Sequence, residues 1–325
     1  MNHMTDKRAQ QLQTWVTSLF DVVENSFSTV SGDASFRRYF RFIAKNEMGL
    51  DQVSLIAVDA PPELEDSQRF IDIALLLIDN KLPAPKIYVS SNDGFYVQQD
   101  FGDQLLHSSL NEQTADHFYS FAMNYIVDLQ QVNSSSLPNY NSQLLQTEMG
   151  LFTDWFLNKH LSCTLSKENK NLLTSTYQSL EANALDQPQT FVHRDYHSRN
   201  LMVLDESHLG IIDFQDAVVG PITYDLASLL RDCYIDWPQQ KVDLWIKQFM
   251  DKLPEQYEYA QFVRWFDLMG MQRHLKAIGI FSRLKYRDNK PAYMNDIPRT
   301  MNYLLTVSNK YDELKPFHAF ISKLL

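Results

Sequence analysis

Residues 191–214, FVHRDYHSRNLMVLDESHLGIIDF, are the stretch from which the rest of the chain can be read. An apolar approach, Phe191 and Val192, leads into His193, Asp195 and Asn200, and two β-like pieces follow at 201–204 and 209–212. The polar residues 205–208 between them read as a hairpin turn, so the two short strands pair and the second delivers Asp213 at its end.

An H-x-D-x-x-x-x-N loop followed, after a hairpin, by Asp-Phe is the pattern of a kinase catalytic loop with its metal-binding aspartate arriving downstream. The chemistry explains the residue types. Moving a phosphoryl group from ATP to a hydroxyl asks the protein for position and charge: Mg2+ held against the phosphates, and a carboxylate that orients the acceptor hydroxyl and takes its proton. A hard ion that keeps waters and phosphate oxygens needs only one or two oxygen-bearing side chains. Asp195 is accordingly read as the catalytic base, Asn200 and Asp213 as the metal ligands, and His193 as a residue that orients the loop. His197 and Arg199 receive no role.

At 325 residues the chain exceeds the size at which one core keeps growing, which favours two lobes. A net charge of -11 argues against nucleic acid or an anionic membrane as the main partner. An acidic protein that binds ATP must therefore concentrate positive charge locally. Cys163 and Cys233 stand far apart without metal-ligand spacing, which speaks against a disulfide framework or a zinc site. There is no apolar run of roughly 18 residues and no apolar leader, so a cytoplasmic protein is expected, working as a monomer on a small molecule. With nine glycines and no G-x-G-x-x-G or G-x-x-x-x-G-K, a glycine-rich phosphate loop is absent.

Apolar positions Leu12, Trp15, Val16, Leu19 and Phe20 give an amphipathic opening helix. Segments 27–30 and 36–42 read as a hairpin around SGDAS (31–35), a small polar loop suited to cover phosphates through Ser31 and Ser35. Period-two alternation along the second strand puts Arg37, Tyr39 and Arg41 on one face and Phe36, Arg38, Phe40 and Phe42 on the other. An arginine on the apolar face needs a partner, so Arg38 is expected to be aimed at phosphate or at an acid. VSLIAV (53–58) makes a third strand ending at Asp59, and a helix follows with Glu63, Glu65 and Asp66 in its first turn. Two more strands, 86–89 and 95–99, flank the turn 91–94.

The first lobe, 1–100, is thus a five-stranded antiparallel sheet with one inserted helix, and the second, 101–325, is mainly helical, an α+β architecture. Residues 100–103 form the hinge, where Gln99 and Phe101 would meet an adenine edge. Helical periodicity recurs at 115–129, 143–157 and 168–180. Thr223 is placed as the cap of a further helix, and Asp225 is expected to be buried and bonded to the catalytic-loop backbone.

With these residues in view, VHRDYHSRN (192–200), IIDFQDAVVGP (211–221) and TYDLASLLRD (223–232) resemble the aminoglycoside phosphotransferase and choline kinase superfamily, which has the protein-kinase-like two-lobe fold. SGDASFRRYFR (31–41), VDAPPE (58–63) and QDFGD (99–103) further resemble the bacterial anomeric sugar kinases that phosphorylate N-acetylmuramate and N-acetylglucosamine at the C1 hydroxyl in peptidoglycan recycling. The resemblance implies the same base and magnesium ligands, and places Ala57 under the adenine. It also exposes a departure: where the kinase pattern V-A-I-K carries its phosphate-gripping lysine, Ile56-Ala57-Val58-Asp59 carries an aspartate. Arg38, or failing it Arg41, is expected to supply that charge, with Glu65 as its helix partner.

The leading reading is an ATP-dependent kinase of those two amino sugars. A second keeps the core but takes choline, homoserine or an aminoglycoside as acceptor. A third, prompted by the missing lysine, is a non-catalytic ATP-binding protein.

Overall fold

The structure, a computed structural model, describes residues 6–30, 36–45 and 51–325. The chain divides into two compact units, Met1–Gln104 with Met202–Gln215, and Leu105–Leu201 with Asp216–Leu325. The first therefore runs four residues past the boundary expected at 100 and takes in most of the hairpin, which sequence alone assigns to the helical part.

The physical reason is what the hairpin rests on. Its strands Leu201–Val203 and Leu209–Ile211 pair as expected. Val203 N–H donates to the Gln104 carbonyl (2.7 Å), Ile211 N–H donates to the Pro83 carbonyl (2.8 Å), and the Phe214 ring stacks on Phe70 at 4.8 Å. Gly210 lies so close to the Phe101 ring that a Cβ there would stand 2.5 Å from Cδ2, which makes glycine obligatory.

The sheet of the first unit has the order β1-β2-β3-β5-β4, with β1 Ser28–Thr29, β2 Arg38–Lys45, β3 Gln52–Asp59, β4 Ile87–Ser90 and β5 Phe95–Gln99, all neighbours antiparallel. Its two faces are covered differently. Helix α1 (Lys7–Leu19), capped by the Asp6 carboxylate on Ala9 N–H, sets Leu12 and Val16 into one cluster with Phe40, Phe42, Leu55, Ala57, Phe95 and Val97. Helix α2 (Ser67–Asp79) serves the other face, where Phe70 stacks on Tyr96. Asp66 caps α2 through Arg69 N–H (3.0 Å), so Glu63 and Glu65 stand before the helix, in turns closed on the Pro61 carbonyl, and not in its first turn.

The second unit is built around the 28-residue helix Tyr259–Tyr286, whose interior stretch from Trp265 to His274 is buried on all sides. Such a helix is a core element rather than a surface one. Ser142–Leu151 and Lys167–Asp186 pack into the same apolar cluster, and Gly279 comes close enough to the Leu151 backbone that a Cβ would stand 2.5 Å from its carbonyl carbon. The helix expected over 143–157 changes at Phe152 into π-helical turns ending at His160. Thr223 precedes Tyr224–Leu230 but does not cap it. Its hydroxyl donates to Gln187 Oε1 (2.7 Å).

Candidate active site

In the second unit the strand Gln189–Val192 delivers the loop 193–200. Asp225, the second residue of Tyr224–Leu230, is buried and accepts from His193 N–H (2.7 Å) and Arg194 N–H (3.0 Å), tying the loop to the helix as the sequence suggested. His193 is fully buried, and its Nδ1 accepts from Asp195 N–H (3.3 Å), an orienting contact. Arg194 between them adopts φ +77°, a left-handed conformation that a side-chain-bearing residue keeps only where its surroundings hold it. Asn200 Nδ2 donates to the Asp195 carbonyl (3.0 Å), which orients the amide.

Replacing Asp225 with alanine strands two buried N–H groups at about 1–3 kcal/mol each, a loss that urea denaturation should show. Asp225→Asn, keeping one acceptor oxygen, recovers part of it. An alanine variant as stable as the wild type would show that the loop is held by something else.

Asp195 is half-buried. Burial would push its carboxyl up, but Lys276, His197, Arg273 and Arg194 together hold it well below the usual carboxylate range. Two of these cations share one anchor that the sequence did not reveal: buried Glu148 pairs with Arg194 Nη2 and, at 3.3 Å, with Lys276 Nζ, while Tyr140 OH donates to its other oxygen. Arg273 and Lys276 lie three apart on the long helix and so project from neighbouring positions on it. That spacing was the only signal available in sequence.

In the first unit several expectations change. Asp59 is fully buried on the α1 face and accepts from Arg8 Nε (2.9 Å) and Arg38 Nε (3.0 Å), with Asp6 as a further partner of Arg38. Arg38 is therefore the partner of Asp59, not of Glu65. Ala57, 0% exposed in the α1 cluster, has no surface to offer an adenine. Arg41 is held by Asp100 (2.6 Å) and Asp103 (2.8 Å).

The arginine that Glu65 holds is Arg37, at 3.0 Å, with Glu65 also accepting from Phe36 N–H (3.1 Å). The alternation holds: Arg37 lies on the α2 face with Tyr39, and Arg38 shares the α1 face with Phe40 and Phe42. The face of Arg37, however, is covered by α2 rather than open to solvent. Phe36 is exposed, and Arg37 is 4% exposed, its guanidinium 5.2 Å from the Phe70 ring centre.

Asp213 follows the hairpin at φ +64° and accepts from Gln215 Nε2 (2.8 Å). Its charge and those of Arg37 and Glu65 converge on one reporter: burial pushes the Tyr96 phenol up, Tyr39 adds to this, Arg37 opposes it, and Glu65 and Asp213 add again. Gln99 ends β5 exposed, with Oε1 accepting from Lys86 N–H (3.4 Å), and Asp100 receives Gly102 N–H in the turn that carries Phe101. Ser31 and Ser35 lie outside the described residues.

Among the described residues there is no group of three or more His, Cys, Asp or Glu that could hold a metal ion.

A family model described as "Phosphotransferase enzyme family" matches residues 26–262. The chain belongs to the phosphotransferase enzyme family. Among relatives of this phosphotransferase, a Pseudomonas aeruginosa protein named N-acetylmuramate/N-acetylglucosamine kinase is 38% identical over 98% of the chain and 97% of its own length. A Neisseria meningitidis protein of the same name is 36% identical over 98% and 96%. The phosphotransferase shares its fold with an ADP-bound aminoglycoside phosphotransferase (TM-score 0.63, 16% identity, 90% of this chain and 97% of that one). It also shares it with a choline/ethanolamine kinase family protein from Mesorhizobium loti (TM-score 0.65, 12% identity, 97% and 98%).

Proposed function

We propose that this phosphotransferase is a cytoplasmic, ATP-dependent sugar kinase that phosphorylates the anomeric C1 hydroxyl of N-acetylmuramate or N-acetylglucosamine, a step of peptidoglycan recycling. The observation that carries the acceptor is the 36–38% identity across 98% of the chain to proteins named for those two sugars.

Asp195, kept ionised by its cationic neighbours, orients the acceptor hydroxyl and takes its proton. An anomeric hydroxyl is more acidic than an ordinary alcohol, which eases that transfer. Asn200 and Asp213 are each assigned as a magnesium ligand, and the ion would supply the charge that neutralises the transferring phosphoryl group.

Arg37, rather than Arg38 or Arg41, is assigned to grip the phosphates. Its fork suits bidentate contact, and its pairing with Glu65 repeats the lysine–glutamate pair of kinases from a neighbouring strand. With that charge supplied, the missing strand-three lysine no longer favours a non-catalytic protein. The backbone of Gln99 and Phe101 serves the adenine edge.

Turnover of ATP with magnesium against N-acetylmuramate, N-acetylglucosamine, glucose, choline, homoserine and kanamycin tests the reading, with phosphorus NMR reporting the product linkage. Selective formation of a sugar 1-phosphate from the two N-acetyl sugars is expected. Turnover of another acceptor alone would overturn the substrate, and ATP binding without turnover would overturn the enzyme.

A further inference from the structure

Within the second unit one buried cation stands apart. Arg194 and Lys276 share Glu148, and Arg231 holds Asp267 at 2.6 Å. Arg273, 5% exposed on the long helix, is reached by no hydrogen bond or ion pair from the described residues, and its Nε and Nη1 are buried without an acceptor. Arg264 pairs with Glu313 and Arg287 with Asp288 at the surface, and Arg283, with an unpartnered buried Nε, is only half-buried.

The groups whose charge Arg273 feels are Cys233, Tyr224, Asp195 and Asp232. Asp232 is committed elsewhere: Oδ2 accepts from Ser198 N–H (2.9 Å) and the Ser198 hydroxyl (2.6 Å), and Oδ1 from Tyr234 N–H (2.9 Å). Asp195 is the base. A second polar atom in this neighbourhood, His197 Nδ1, is likewise buried without a partner, and Arg273 is among the charges acting on its ring.

A desolvated guanidinium with no hydrogen-bonded counter-ion is a costly arrangement that a ligand anion would relieve. Its fork matches a carboxylate, and because its charge acts on Asp195 the anion that fits it is one borne by the acceptor itself. We propose that Arg273 is the specificity-determining residue for the acceptor, binding a carboxylate carried on the same sugar whose hydroxyl Asp195 addresses. The inference rests on the sugar-kinase reading. Of the two N-acetyl sugars, only N-acetylmuramate, through its lactyl group, carries that charge.

The test compares kcat/KM for N-acetylmuramate, its lactyl carboxamide and N-acetylglucosamine in wild type, Arg273→Met and Arg273→Lys. Wild type should favour N-acetylmuramate over the carboxamide by about 30-fold or more, the scale on which a buried charge pair is lost when one partner is removed. Arg273→Met should erase that preference and lower the N-acetylmuramate to N-acetylglucosamine ratio by a similar factor, whatever loss both share through Asp195. Arg273→Lys should restore part of it.

A wild type that treats the carboxamide and N-acetylmuramate alike overturns the proposal without reference to any variant. An equal fall on both sugars in Arg273→Met overturns it as well, showing action through Asp195 or the fold. A wild type inert toward all three overturns instead the sugar-kinase reading beneath it.

Discussion

Asp195→Asn lowers kcat by about 10²–10⁴-fold while leaving the affinity for magnesium-ATP nearly unchanged. Base and hydroxyl orientation are lost together, whereas Asn200 and Asp213 keep their own side chains, and the Asp195 backbone carbonyl that fixes the Asn200 amide remains in place. The measurement is steady-state turnover beside direct nucleotide binding by calorimetry. Because Lys276, His197, Arg273 and Arg194 outweigh burial and hold the Asp195 carboxyl low, it stays ionised as pH falls through the range where an ordinary carboxylate starts to protonate. The wild-type rate should therefore show no acid limb from this group between pH 7 and about 5. A variant retaining a tenth of the wild-type rate would remove Asp195 from the role of base.

Arg37→Ala is the second large effect. It breaks a pair in which the arginine side chain is 3% and the glutamate 13% exposed, and leaves Glu65 without its counter-charge. Breaking a buried pair from one side costs about 3–5 kcal/mol, visible as a shifted denaturation midpoint. The Michaelis constant for ATP should rise by more than about tenfold, the scale of one charge-assisted contact.

Arg37→Lys separates the two effects, because an ammonium restores the charge without the bidentate fork. It should recover most of the stability and only part of the ATP affinity. Arg38→Ala is the contrast: that guanidinium is 36% exposed and serves Asp59, which Arg8 also holds, so ATP affinity should barely move. An Arg38→Ala variant with an ATP defect as large as that of Arg37→Ala would return the phosphate role to Arg38.

Much of this protein was legible before any coordinates. The five strands, both helices of the first unit, the hairpin and the Asp195–Asn200 spacing follow from local periodicity and contiguous motifs, because side-chain direction repeats every two residues in a strand and every 3.6 in a helix. The tie between Asp225 and the loop was also foreseeable, since a short buried acid just after a glycine-proline break has nearby backbone N–H groups as its natural partners.

Tertiary structure alone settled which arginine is which. Alternation along the strand puts Arg37 and Arg38 on opposite faces, but both faces are covered, by α2 and by α1, and nothing in FRRYF shows which face carries Glu65 and which Asp59. The same limit hid the Glu148 anchor and the unpaired Arg273. Their partners, or lack of them, are set by helices packed from distant parts of the chain, and burial of a charge is a property of what surrounds it rather than of its neighbours in sequence.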